Sequence, residues 1–154
     1  EISQKTGIAH TSIKNNLEIL KKESIIKEKK YQKGKRSFPV FIANTENINY
    51  INNKKINNLI KIFDSGLVDY LRDELMPSAI VLFGSFLRGE DTEESDIDIY
   101  ISSESREINL KKFENKLKRK LQLHFKKNFS EFPLELKNNI INGFTLYGFL
   151  EAIK

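Results

Sequence analysis

Phe83-Gly84-Ser85-Phe86-Leu87-Arg88-Gly89, followed after a short acidic run by Ser95-Asp96-Ile97-Asp98-Ile99, decides how this chain is expected to fold. The residues before it, Ala79-Ile80-Val81-Leu82-Phe83, form the longest strictly apolar run, too short for a membrane span and bounded by Pro77 and Gly84, which reads as a buried strand. That strand breaks at Gly84, and the Gly84-Ser85 pair turns the chain into a short helical stretch whose first backbone N–H groups make a natural phosphate cradle. Ser95–Ser102 alternates as a strand with Ile97, Ile99 and Ile101 on one face, so Asp96 and Asp98, two residues apart, share the other. Side by side, two carboxylates repel unless a cation or a proton lies between them. Hard oxygen donors in that arrangement favour Mg²⁺ or Mn²⁺, ions that also hold phosphate oxygens.

Taken singly, a strand–Gly-Ser–helix turn is most often only a turn, and an Asp-x-Asp at a strand edge is usually solvated surface. Together, with ten residues between Ser85 and Asp96, they are far more specific. The run Gly84-Ser85…Asp96-Ile97-Asp98, with Arg88-Gly89 and Ser95-Asp96 fitting around it, resembles the signature of the minimal nucleotidyltransferases of the DNA polymerase beta superfamily. The resemblance implies an α+β fold over residues 55–154, a small mixed sheet with flanking helices. It further implies that Gly84, Ser85 and Arg88 bind the phosphates of a nucleoside triphosphate. Asp96 and Asp98 are the implied catalytic pair, holding Mg²⁺ (or Mn²⁺) while an acceptor hydroxyl takes the nucleotide and pyrophosphate leaves. Active members carry a third carboxylate on a later strand, matched here by Leu121-Gln122-Leu123-His124-Phe125. Gln122 stands where the acid is expected, and an amide neither takes a proton nor ligates a cation well. His124 shares its face and reads either as an ordinary strand histidine or as a metal ligand or proton acceptor; Glu131 and Glu135 lie further on.

Around this centre the periodicity predicts a helix from Lys55 to Leu75 with Ile56, Leu59, Ile60, Phe63, Leu67, Tyr70 and Leu71 inward, ended by Pro77. It also predicts a helix over Leu110–Leu121, a strand over Leu121–Phe125 and a helix over Leu134–Ile141. Gly143–Ile153 fits either helix or strand. Glu90–Glu94 reads as an exposed acidic loop, and the lysine-rich stretch from Lys111 to Lys127 as a solvated face or as a surface that steers a polyanion.

The front of the chain differs in charge. Residues 1–45 hold ten Lys/Arg against four Asp/Glu, a net +6, whereas residues 46–154 hold sixteen against seventeen, a net −1. A basic module points to a polyanion such as nucleic acid, or to nothing more than a lysine-rich surface. Its pattern is a short helix to Thr6, a turn at Gly7, a helix capped by Thr11 or Ser12 with Ile13, Leu17 and Leu20 along one stripe, and a hairpin turning at Gln32-Lys33-Gly34-Lys35. Ile2 to Ile8 followed by Thr11 to Leu17 resembles the later part of a winged helix-turn-helix, its first helix missing. The resemblance implies that His10, Thr11, Ser12, Lys14 and Asn15 face double-stranded DNA and that Lys33, Lys35 and Arg36 grip its backbone from the wing. A protein-interaction winged helix is the other possibility. The domains expected are therefore 1–45, a partial winged helix-turn-helix; 46–54, an Asn-rich linker; and 55–154, the nucleotidyltransferase domain.

Without cysteine the chain has neither disulfides nor thiolate-held zinc, which fits a reducing, cytoplasmic setting. It opens on Glu1, so a targeting signal at that end cannot be judged. Three functions stay open: a nucleotidyltransferase modifying a protein or nucleic-acid hydroxyl; a DNA-binding transcriptional regulator whose rear domain only binds nucleotide or is inactive; and an antitoxin, because minimal nucleotidyltransferases often pair with HEPN-type helical toxins.

Overall fold

The computed structural model describes residues 2–152 and divides into two compact units, Glu1–Asn53 and Lys54–Lys154. In the first, α1 (Ile2–Thr6) and α2 (His10–Lys22) are joined by a turn at Gly7, whose φ of 69° favours glycine. The amide of Gly7 donates to Ser3 O at 2.9 Å, and the Ser3 hydroxyl to Ile8 O at 2.7 Å. This tight closure starts α2 at His10, with Ala9 as its uncapped boundary, so Thr11 and Ser12 lie in the first turn and do not cap the helix as expected. β1 (Ile26–Lys33) and β2 (Arg36–Ala43) form an antiparallel hairpin in unbroken register from Ile26↔Ala43 to Lys33↔Arg36, leaving Gly34-Lys35 as the turn. Lys21 ties α2 to the hairpin through Glu28 at 2.5 Å while also bonding Glu18. Among the described residues of this unit none is buried. Residues 46–54, expected as a linker, are largely helical, because α3 (Ile48–Ser65) begins there.

In the second unit the expected single helix is two, α3 and α4 (Leu67–Leu75), broken at Gly66, whose φ is 77°. Ser65 makes the break self-satisfying: its hydroxyl donates to Ile62 O at 2.6 Å and accepts from Leu67 N at 3.1 Å. The inward face also differs. Ile56, Ile60 and Phe63 are exposed, and α3 turns Asn58, Ile62 and Ser65 inward, while Leu67 and Leu71 are buried as expected. The physical reason is Asn58, whose amide is bonded within the unit and sets the rotation of the helix.

A four-stranded sheet follows, in the order β5-β4-β3-β6. β3 (Ala79–Phe83), buried throughout, is antiparallel to β4 (Ile97–Ile101) and to β6 (Phe144–Gly148); β4 and β5 (Leu121–Phe125) run parallel. β6 settles the last apolar segment as a strand. Between strands lie α5 (Gly84–Arg88), α6 (Lys111–Leu117) and α7 (Leu134–Ile141), with a 3₁₀ turn at Phe129–Glu131. α6 stops short of the expected Leu121 because Lys118 adopts left-handed backbone. Side-chain alternation gives the sheet two apolar faces. Ile80, Leu82, Ile97, Ile99 and Ile101 pack with Ile62, Leu67, Leu71 and Phe113, whereas Val81, Phe83 and Tyr100 pack with Phe129, Phe132 and Ile140. The architecture is the α+β arrangement with small sheets expected from the sequence.

Candidate active site

The site grows from the register of β3 against β4. Phe83 pairs with Asp98, so the next residue, Gly84, meets the Asp98 side chain as the chain leaves the sheet. A Cβ on Gly84 would stand 2.4 Å from Asp98 Oδ2, and the φ of 80° is already a glycine conformation. Glycine is therefore demanded twice, by backbone and by the carboxylate it lies against. Ser85 follows in the first turn of α5, half-buried. Asp96 stands one residue before β4 and is exposed; Asp98, two residues on, is partly covered with 25% of its side chain accessible. Among the described residues the Ser85 hydroxyl and the Asp96 carboxylate have no partner, leaving both available to a ligand.

On the other side of β4, the parallel register puts Gln122 level with Asp98 and His124 level with Tyr100. Gln122 is exposed. His124 reaches back diagonally, its Nε2 3.1 Å from Asp98 Oδ1, and its ring leans on Phe83 at 5.1 Å between centroids. Below it, Tyr100 is fully buried among Phe129 and Phe132 and donates to Lys126 O at 3.1 Å. Burial pushes its phenol above the usual 10. The second apolar face of the sheet thus forms the floor from which Asp98 and His124 emerge.

The remaining expected residues fall elsewhere. Arg88 is half-exposed and engaged with Glu90, Nε to Oε2 at 2.7 Å. Glu131 meets Lys126 at 3.5 Å, and Glu135 is exposed. In the front unit His10, Thr11, Ser12, Lys14 and Asn15 all lie exposed on α2, Lys33 and Arg36 face each other at the end of the hairpin, and Lys35 is in its turn.

One residue escaped the sequence reading. Asp91, inside the run taken for an exposed loop, has a side chain only 2% accessible. Lys54 lies 3.1 Å from its Oδ1 and also donates to its backbone oxygen; the Asn58 amide donates to the same Oδ1 at 2.9 Å and to Phe86 O at 2.8 Å. Arg119 approaches Oδ2 at 3.8 Å. This buried node locks α3 against α5 and the loop after it, and so holds the Gly84-Ser85 turn in place. Its only local signal is a single Asp among glutamates; its partners Lys54 and Asn58 lie far upstream. Beside Asp96 opens a cleft of about 740 Å³ whose walls include Glu94, Glu114, Lys118, Arg119 and Lys120.

Carboxylates and an imidazole are donors that a divalent cation takes: Asp98 lies 3.1 Å from the His124 nitrogen, and Asp96 lines the cleft described above. Among the described residues, no three His, Asp or Glu side chains converge as a ready-made cage.

A sequence model of the nucleotidyltransferase domain family matches residues 65–147, more than half of the chain. The chain belongs to that family. It is also similar to a protein of Methanocaldococcus jannaschii (strain ATCC 43067 / DSM 2661 / JAL-1 / JCM 10045 / NBRC 100440) named "Putative protein adenylyltransferase", with 58% identity over 31 residues; the matched stretch spans 20% of this chain and 31% of that protein's length. No solved structure matches the chain. Among the described residues no helix is long and apolar enough to cross a membrane.

Proposed function

We propose that the chain is a divalent-cation-dependent nucleotidyltransferase that moves a nucleoside monophosphate from a nucleoside triphosphate onto a protein or nucleic-acid hydroxyl. The observation that carries this reading is Gly84, left-handed and without room for a Cβ, seated on the carboxylate of Asp98. Ser85 and the amides of the turn would receive the terminal phosphates. Asp96 and Asp98 would hold Mg²⁺ or Mn²⁺, whose charge, when bound, offsets that on the phosphates undergoing displacement. Arg88 would support the triphosphate only by leaving Glu90, a pair exposed enough to exchange. The relative's name favours adenylate as the transferred group and a protein as the acceptor. Incubation with α-labelled nucleoside triphosphates, Mg²⁺ or Mn²⁺ and candidate acceptors, beside an Asp96→Asn/Asp98→Asn control, tests it: labelling above the control supports transfer, and equal labelling refutes it.

Gln122 favours a second reading, in which the domain binds nucleotide without transferring it and serves a DNA-binding regulator or an antitoxin facing a HEPN-type partner. Nucleotide binding by wild type with no transfer to any acceptor, the proposed partner included, would select it. For the front unit we propose a winged helix-turn-helix bound to duplex DNA. By register, one face of its hairpin carries Lys27, Lys29, Lys33 and Arg36 with Tyr31 and Phe38, and no acid. Affinity for duplex should fall steeply with salt, and neutralising Lys33, Lys35 and Arg36 together should flatten the dependence of log affinity on log salt by about 3. A salt-independent affinity would refute it.

A further inference from the structure

We propose that the face of the β1–β2 hairpin turned away from α2 binds a single-stranded nucleic acid of either sugar, its backbone along β1 and its bases along β2. This goes beyond the duplex contact proposed above for α2 and the hairpin tip, and the two can fail separately. Glu28, the one acid of the hairpin, fixes which face is which. Its carboxylate meets Lys21 of α2, and its partner Phe41 is half-buried, as is Ile26 two residues back. Alternation sends the odd-numbered side chains of β1 and the even-numbered ones of β2 to the opposite face. There β1 contributes Lys27, Lys29 and Lys33, whereas β2 contributes Phe38, Val40 and Ile42. Two unlike rails run side by side, about 5 Å apart, one cationic and one apolar. Tyr31 and Phe38, a cross-strand pair, span both with rings that are 58% and 46% exposed.

The sorting into rails selects the ligand. Among the described residues none of these lysines has a partner, so their charge is uncommitted. A single strand has the matching asymmetry: phosphates follow one edge, and the base faces beside them are open to stack on aromatic rings. A duplex lacks it, because its bases already stack on one another and its phosphates line both edges. An anionic membrane takes cations and aromatic groups too, but gives no reason for setting them in separate rows. With no amide or aliphatic hydroxyl on it, the face has little with which to tell deoxyribose from ribose, so DNA and RNA strands should bind alike.

Fluorescence anisotropy of the full chain with labelled oligodeoxythymidylate and oligouridylate of about 12 nucleotides, beside a DNA duplex of the same length, tests this. Tyr31→Ala and Phe38→Ala are each expected to weaken both single strands at least about fivefold. Tyr31→Phe, which keeps the ring, should bind them as wild type does, and none of the three should move duplex affinity or the far-ultraviolet circular dichroism. Lys27→Gln combined with Lys29→Gln should flatten the dependence of log affinity on log salt by about 1.4. Stacking is read directly in Tyr31→Trp: the chain has no tryptophan of its own, so quenching of that emission by oligodeoxythymidylate reports this position alone. Single-strand binding without duplex binding supports the proposal and overturns the duplex reading; duplex binding without single-strand binding does the reverse. The proposal is also overturned by single-strand affinity that survives both alanine variants, by a preference of more than about tenfold for one sugar, or by a Tyr31→Trp emission that answers to phosphatidylserine vesicles and not to the strands.

Discussion

The two units of this chain solve the problem of folding in opposite ways. Residues 54–154 wrap a four-stranded sheet in two apolar layers, with Ile80, Leu82, Ile97, Ile99 and Ile101 fully buried on one face and Tyr100 on the other. Residues 1–53 have no buried side chain among those described, expose Ile19, Tyr31 and Phe38, and leave an apolar groove of about 700 Å³ bordered by Ile13, Leu17 and Phe41. Hairpin ladder and local hydrogen bonds carry the front; packing carries the rear. The difference teaches where chemistry can reside. Transfer of a nucleotidyl group needs donors fixed to within a fraction of an ångström, which only packed neighbours supply, whereas a polyanion can be met by exposed lysines on a ribbon.

The contrast is broken most directly by emptying one side chain in each unit. Ile99→Ala should cost about 4 kcal/mol, measured by denaturant unfolding, since it leaves a cavity between packed layers. Leu17→Ala, on a half-buried stripe, should cost less than about 1 kcal/mol. Equal costs would mean that the front unit owns a core of its own. Asp91→Ala comes next. It strands Lys54 and Arg119 beside an emptied site and should lower stability by about 3 kcal/mol; on the proposed function, nucleotide affinity should fall alongside because α5 loses its tether. A variant with unchanged melting and binding would reduce the node to decoration. Gly84→Ala should cost about 2 kcal/mol through its backbone conformation and the collision with Asp98. On the proposed cation-dependent reading, displacing the carboxylate should also weaken Mn²⁺ binding, which titration calorimetry measures separately from the melting temperature.

These residues also mark how far the sequence could be read. Gly84, Ser85, Asp96 and Asp98 were legible because each follows from a local rule: a glycine at a strand break, and period-two alternation beside Ile97, Ile99 and Ile101. Gln122 was marked by the family resemblance, but its pairing with Asp98 was not legible, because alternation within β5 does not fix its register against β4. Asp91 was not. Being the one Asp in Glu90–Glu94 does not show that it folds inward, because what buries it is Asn58 on a helix more than thirty residues upstream. The same long-range contact hid the rotation of α3: periodicity admits a stripe through Ile56, Ile60 and Phe63, and the polar demand of Asn58 and Ser65 overrides it. The single helix expected from Lys55 to Leu75 ran through Gly66, where the chain breaks and Ser65 supplies the side-chain bonds of the break.

The smallest effect lies beneath the site, at Tyr100, and it reads the packed layer through a proton. Burial holds its phenol above the ordinary 10, so the native chain keeps a proton that the unfolded chain releases once pH passes 10. The stabilisation is therefore complete below pH 10 and drains away as pH climbs through the raised folded value. Tyr100→Phe removes both the titration and the hydrogen bond to Lys126 O, so at neutral pH it should cost no more than about 1 kcal/mol. Above pH 10 the gap between wild type and variant should narrow, as the wild type alone faces the cost of an anion among Phe129 and Phe132. Urea unfolding at pH 8 and pH 10.5 gives the two differences. A gap that stayed constant would mean that the phenol reaches water, and that the floor under Asp98 and His124 is looser than the packing of its aromatic rings implies.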